Sequence, residues 1–251
     1  MISCLMVTQA LRLPLARLAI GDFSAQTHAD RELVIVHDGD ATLDADLRRH
    51  AAASVAPVLV HRHRSGCSLG TLRNAARDAA RGDFVCQWDD DDRSHPERLA
   101  LQWEALRSTR ADFCFLADQL HWFPACAEMY WDDWNREAYP MNLVQGTLLG
   151  RRALLPEYPD LPRGEDTPVV RETLRRGHAV TRLRDAGWCH VYVYHGANAW
   201  DAAHHLAISR AKRYGQVRLL QRAATLRVRL AQYTPGFGAL RFPHEGGALE
   251  L

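Results

Sequence analysis

Four consecutive carboxylates, Asp89, Asp90, Asp91 and Asp92, follow the short apolar run 84–88 and precede Pro96. Adjacent aspartates repel one another in water, and folding alone gives no reason to collect them. A divalent cation removes the repulsion, and Mg²⁺ and Mn²⁺ favour carboxylate oxygens. An acidic run at the end of a β-forming segment therefore reads as the seat of a metal that holds a phosphorylated ligand. The plainer alternative is a solvated acidic turn, or a helix N-terminus that favours negative charge, with Asp92 near the cap of a helix after Pro96. Other chemistry-bearing groups also fall at element boundaries. Asp38-Gly39-Asp40 ends a strand-like run, Glu165-Asp166 opens a helix-like one, and His195 follows the aromatic segment 191–194. The chain has 13 histidines, so a structural or surface role for His195 stands beside a ligand role.

The elements that must position these groups follow from hydrophobic period. Runs at 2–7, 32–37, 57–61 and 83–88 read as strands, and 11–23, 43–53 and 71–81 as helices, the last stopped by Gly82. The second strand is nearly all apolar, as expected when both sheet faces are covered. A β-α-β-α-β-α-β series implies a parallel sheet with right-handed crossovers. Ligands of such sheets bind beyond the carboxyl ends of the strands, where Asp38 and the four aspartates lie.

Further along, 96–108 reads as a helix, with Leu99, Trp103 and Leu106 at helical spacing. Strands are expected at 112–117 and 143–151, a loop around Pro156, Pro159 and Pro162, and a helix from 164 to Gly177. Short strands at 179–184 and 190–194 follow. Residues 118–140 are aromatic and without clear period. Their Trp122, Trp131 and Trp134 suit either sugar stacking or a core, the core being the simpler reading. From 201 to 232 the pattern is helical and basic. Its stretch 212–229 reads as a solvated amphipathic helix, or else as a surface for an acidic partner or lipid. The Gly-rich last fifteen residues are expected to be mobile.

Composition narrows the class. A chain of 251 residues, 47% hydrophobic, suits one large α/β domain, or one domain with a small appendage. With 31 basic and 30 acidic residues, net +1, it does not read as a protein that lives by attraction to nucleic acid. The six cysteines, at 4, 67, 86, 114, 126 and 189, show no CxxC pair and read as reduced thiols in a reducing compartment. Residues 2–8 are too short for a signal peptide and lack a basic leader. No run nears the ~18–20 apolar residues that span a bilayer. A soluble, cytoplasmic protein is expected, with peripheral membrane contact left open.

Five segments, in this order, carry a resemblance. They are Gln26-Thr27; the strand into His37-Asp38-Gly39; Ser68-Leu69-Gly70-Thr71-Leu72-Arg73-Asn74-Ala75-Ala76; Ala80-Arg81-Gly82-Asp83-Phe84 running on to Asp91-Asp92; and Gly164-Glu165-Asp166. Over residues 1–200 the chain resembles the family 2 glycosyltransferases, which have the GT-A fold and usually invert the anomeric centre. It departs from them where Thr8 is followed by Gln9-Ala10 rather than Tyr-Asn, and where His37 replaces the first Asp of an Asp-Asp-Gly turn.

The resemblance implies an α/β, GT-A (Rossmann-like), mostly parallel sheet flanked by helices. Residues 1–95 would bind nucleotide, 96–200 would bind acceptor, and 201–251 would form a helical extension and tail. Asp91 would be a direct ligand of Mn²⁺ or Mg²⁺, Asp89 a ligand directly or through water, and His195 a late histidine ligand. Asp90 would reach the ribose. Asp38 would accept from the base N–H, with Thr8 lining the same pocket; a simple Asp-Gly turn is the alternative for Asp38. Arg73 would approach base or diphosphate, against a solvated helix arginine. Asp166 would be the general base and Glu165 the fallback.

The donor would be a nucleotide-sugar, UDP-sugar foremost, and the acceptor a glycan, lipid-linked or protein hydroxyl. Two other readings compete. A nucleotidyltransferase would carry a Gly-rich basic loop after the first strand, but residues 8–16 hold no Gly and only Arg12. A catalytically inactive GT-A-like binding module would be marked by loss of the acidic run or the late Asp, and both are present.

Overall fold

The computed structural model describes residues 1–251. In its first part β1 (Ile2–Thr8), α1 (Leu13–Ser24), β2 (Arg31–His37), α2 (Ala41–Ala51), β3 (Val58–Arg62), α3 (Leu69–Ala79) and β4 (Phe84–Gln87) alternate as the period implies. A short β5 (Arg93–Ser94), α4 (Arg98–Thr109), β6 (Phe113–Leu116), β7 (Asp118–Phe123), β8 (Glu128–Asp133) and β9 (Val144–Arg151) follow. The chain continues through α5 (Asp166–Arg175), β10 (Val180–Leu183) and β11 (His190–Val193). It ends with α6 (Ala202–Lys212), α7 (Gln216–Gln221), α8 (Ala223–Leu230), β12 (Arg241–His244) and β13 (Gly247–Glu250).

The main sheet has the order β10-β6-β9-β4-β1-β2-β3 and is parallel except for β9, which runs antiparallel between β4 and β6. Burial explains it. All seven residues of β2 are buried, so the strand is covered on both faces. One layer packs Met6, Phe23, Leu33 and Leu47, and the other Leu5, Val34, Leu72 and Phe115. Register sets the site: Thr8 pairs with His37, and Leu5 with Gln87. Thr8, Asp38 and the acidic run therefore leave the sheet at one edge.

Residues 118–133, which lacked a period, form the β7–β8 hairpin of a second sheet ordered β13-β12-β8-β7-β11-β5. Trp131 is core, its ring stacked 4.9 Å from Tyr214. Trp122 is half-buried against Phe237, and Trp134 lines a cleft. The tail differs from expectation. It is the β12–β13 hairpin, joined to β8 through Arg241 and Glu128, because Leu240 and Phe242 are buried in the second core. The basic region is likewise three short helices. Leu219, Leu226 and Leu230 of those helices, with Tyr214 from the link between α6 and α7, pack with Leu120, Trp131 and Val191 of the sheet. Asp92 also departs from expectation: α4 starts at Arg98 after Glu97, and Asp92 takes no part in its cap.

Candidate active site

The carboxyl edge of the main sheet opens onto a cleft of ≈ 740 Å³ lined by Thr8, Asp38, Arg73, Asp89, Asp90 and Asp166, among others. Thr8 is buried and its Oγ1 has no partner. Asp38 fastens the neighbouring loop: its Oδ2 accepts from the Gly66 N–H at 3.0 Å, and its carbonyl accepts from Ser65 Oγ at 3.1 Å. Asp38 is thus a turn residue and a cleft residue at once. At the far end stand Trp134, Tyr192, Trp200 and His205, the Trp200 ring lying 4.7 Å beneath the Arg163 guanidinium.

The four aspartates find different partners, with Asp90 and Asp91 sharing Arg12. Asp89 Oδ1 accepts from Arg73 Nη2 at 2.6 Å, and its Oδ2 accepts from Gln87 Nε2 at 3.2 Å. Asp90 Oδ1 accepts from Arg12 Nη1 at 3.1 Å, while its Oδ2 is buried without a partner. Asp91 Oδ2 meets Arg12 Nη1 at 2.9 Å and His195 Nε2 at 3.1 Å. Asp92 Oδ1 accepts from the Val193 N–H at 3.1 Å, and its Oδ2 lies 3.5 Å from His190 Nε2.

The acidities follow those surroundings. Burial lifts Asp89, but the charge and hydrogen bond of Arg73 outweigh it and leave that carboxyl below its ordinary value. Burial and then the Asp91 charge raise Asp90 to about 7, against the pull of Arg12. Burial, then Asp91 and Asp89, push Asp92 well up. Burial, then Arg98, hold His190 well down.

Of the three expected metal ligands, the structure brings Asp91 and His195 together and turns Asp89 away toward Arg73. No three His, Cys, Asp or Glu side chains are grouped to hold a metal by themselves. Arg73 is not a solvated helix arginine. It is buried, its Nε donating to Glu165 Oε1 at 2.6 Å while Nη2 holds Asp89. That bond occupies Glu165, the fallback base. Asp166 begins α5, and its Oδ1 accepts from the Thr167 N–H at 2.7 Å. Burial and then the adjacent Glu165 charge raise it to about 6. Thr167 Oγ1 in turn donates to Gln145 Oε1 at 2.6 Å, which ties the start of α5 to β9. The sequence reading missed Arg12 as a partner of the acidic run. Its one signal was position, a lone arginine directly after the first strand.

Residues 14–140, just over half of the chain, match the model of glycosyl transferase family 2. The chain belongs to that family. No curated protein matches this family 2 chain in sequence. Solved structures resemble it in fold. S. aureus TarS 1–349 in complex with UDP-GlcNAc superposes with a TM-score of 0.61 at 14% identity, over 92% of this chain and 67% of that one. Without ligand, TarS 1–349 gives 0.57 at 17% identity, over 76% of this chain and 60% of that one. The mannosyltransferase PcManGT from Pyrobaculum calidifontis, in complex with GDP-Man and Mn²⁺, gives 0.55 at 14%, over 90% and 69%. The match therefore spans less than two thirds of the ligand-free TarS fragment, and 42% of a longer TarS chain. The family 2 chain has the expected GT-A architecture, a mostly parallel sheet flanked by helices.

Proposed function

We propose that this family 2 chain transfers a sugar from a nucleotide-sugar, a UDP-sugar foremost, to an acceptor hydroxyl with inversion at the anomeric carbon. The observation that carries the reading is one cleft holding both ends of the chemistry. Asp166, raised to about 6, and Asp89, Asp90 and Asp92 of the acidic run line the same cavity. Thr8 and Asp38 line it too, and suit the base of the nucleotide: each has a polar atom beside the cleft, and the buried Thr8 Oγ1 lacks a partner.

In this mechanism the acceptor oxygen attacks the anomeric carbon from the face opposite the diphosphate. Asp166 takes the hydroxyl proton as the new C–O bond forms, and the bond to the diphosphate breaks with its electron pair going to the leaving oxygen. A base that titrates near 6 is ionised at neutral pH yet still has proton affinity, which suits general base catalysis. Arg73 is a positioning residue. It fixes Asp89 beside β9 and occupies Glu165, so Asp166 is the free carboxylate of the pair. Asp91 and His195, an oxygen and a nitrogen donor 3.1 Å apart, would hold Mn²⁺ or Mg²⁺. A bound cation there would neutralise charge growing on the leaving diphosphate.

The aromatic end of the cleft suits a glycan, lipid-linked or protein acceptor. No helix is long and apolar enough to cross a membrane, and all six cysteines are free, which supports a cytoplasmic setting. The test is transfer from UDP-, GDP- and dTDP-sugars with Mn²⁺ by wild type and Asp166→Asn. The expected result is a fall in kcat of about 10²–10⁴-fold with donor KM little changed. An Asp166→Asn variant that turns over like wild type would sink the assignment.

A further inference from the structure

Arg12 stands in a single 3-10 turn, Ala10–Arg12, between β1 and α1, with its side chain 26% exposed. Its Nη1 contacts two aspartates, Asp90 at 3.1 Å and Asp91 at 2.9 Å. The Asp91 oxygen it meets is Oδ2, the same atom that faces His195 Nε2. A guanidinium and an imidazole thus converge on the one oxygen assigned above to a cation. A divalent ion on Asp91 and His195 and the Arg12 charge about 3 Å from that oxygen would repel one another. Both cannot hold the oxygen in this geometry. Unlike Arg73, which is buried between two carboxylates, Arg12 lines the cleft and is anchored by one short turn. The diphosphate entering with the metal brings new oxygens into that space, and the planar fork of a guanidinium suits them.

We propose that Arg12 is an exchangeable counter-cation. It neutralises Asp90 and Asp91 while the cleft is empty, and passes to the donor's diphosphate when the metal takes Asp91. The inference rests on the reading that Asp91 and His195 hold the metal. It makes metal and nucleoside diphosphate binding mutually dependent: each alone must work against the Arg12–Asp91 pair, and together they replace it with two new pairings. By linkage, the factor by which one tightens the other is the same in both directions.

The test is calorimetric titration and Mn²⁺ electron paramagnetic resonance on the full chain. Wild type, Arg12→Ala, Arg12→Lys and Asp91→Asn are each titrated with Mn²⁺ alone, uridine diphosphate alone, and both. In Arg12→Ala the affinity for Mn²⁺ alone rises about tenfold, because the competing charge is gone. Affinity for uridine diphosphate in the presence of Mn²⁺ falls about tenfold, and the coupling between the two collapses. Arg12→Lys keeps the charge without the fork, so its Mn²⁺ affinity stays at the wild-type level while diphosphate binding weakens. Thermal unfolding of each variant confirms the fold. If Arg12→Ala leaves both affinities unchanged, or lowers both, the exchange is overturned. If Asp91→Asn binds Mn²⁺ as wild type does, the metal assignment itself fails, which separates that failure from the failure of the Arg12 proposal.

Discussion

Asp166 carries opposite consequences for activity and for stability. Its carboxyl, ordinarily near 3.9 in an unfolded chain, stands at about 6 in the fold through burial and the Glu165 charge. Between those values the folded protein binds more protons than the unfolded one, so stability falls as pH rises through that window and stays lower above it. Asp166→Asn should therefore be more stable than wild type at pH 8, by roughly 1–3 kcal/mol, and nearly equal at pH 4. Activity should rise with pH about a midpoint near 6 and lose that limb in the variant. Urea titrations at the two pH values and a pH–rate profile check both signs.

Arg73 has the reverse character. Removing it strands Asp89 and Glu165, so Arg73→Met should cost about 3–5 kcal/mol in denaturant unfolding. At this scale the sequence showed residue types better than partners. The acidic run was plain to read, but its relief depends on Arg12, 78 positions before Asp90, and on His195, 104 positions after Asp91. No local spacing encodes such pairings.

Elements were legible where period and topology agree. The β1–β4 half follows from apolar runs alternating with 3.6-period helices, and parallel order follows from the crossovers. The second sheet was not legible, for two reasons. β7 and β8 are buried on both faces and so lose the alternation that marks a strand: His121, Met129, Trp131 and Asp132 are all buried. The closing hairpin is recognisable only by what it covers. Phe242 is nearly inaccessible in the core that also holds Trp188 and Leu230. Phe242→Ala should cost about 3–5 kcal/mol in urea unfolding, a penalty no mobile tail would show.

α3 meets the 159–161 loop just as closely. A Cβ at Gly70 would come 1.8 Å from the Pro159 carbonyl, and that loop leads into Glu165 and Asp166. The glycine is a packing requirement on the path to the proposed base, although the sequence alone places it just before the helix expected at 71–81.

At the scale of the whole molecule, the cleft is assembled from both sheets and from the C-terminal helices. Thr8 and Asp38 come from the main sheet, Tyr192 from the second, and His205 from α6. The family-matching segment ends at 140, so Asp166, His195, Tyr192, Trp200 and His205 lie beyond it, and of the aromatic wall Trp134 lies within it. Chelation should separate function from fold. Arg12 and Arg73 already compensate the acidic run, so EDTA should abolish metal-stimulated sugar transfer while leaving the thermal midpoint of the nucleotide-free protein unchanged. Parallel activity and calorimetric scans read both.

The tie between Asp92 and the backbone of Val193 spans 101 residues. At ~5–20 residues per second on the ribosome, that is on the order of ten seconds of synthesis. Arg12 and Arg73 have emerged by the time the acidic loop does, so Asp89, Asp90 and Asp91 find counter-charges at once. Asp92 waits for the last third of the chain. Until β11 has been made, Asp92 lacks the backbone N–H from which it accepts in the finished fold.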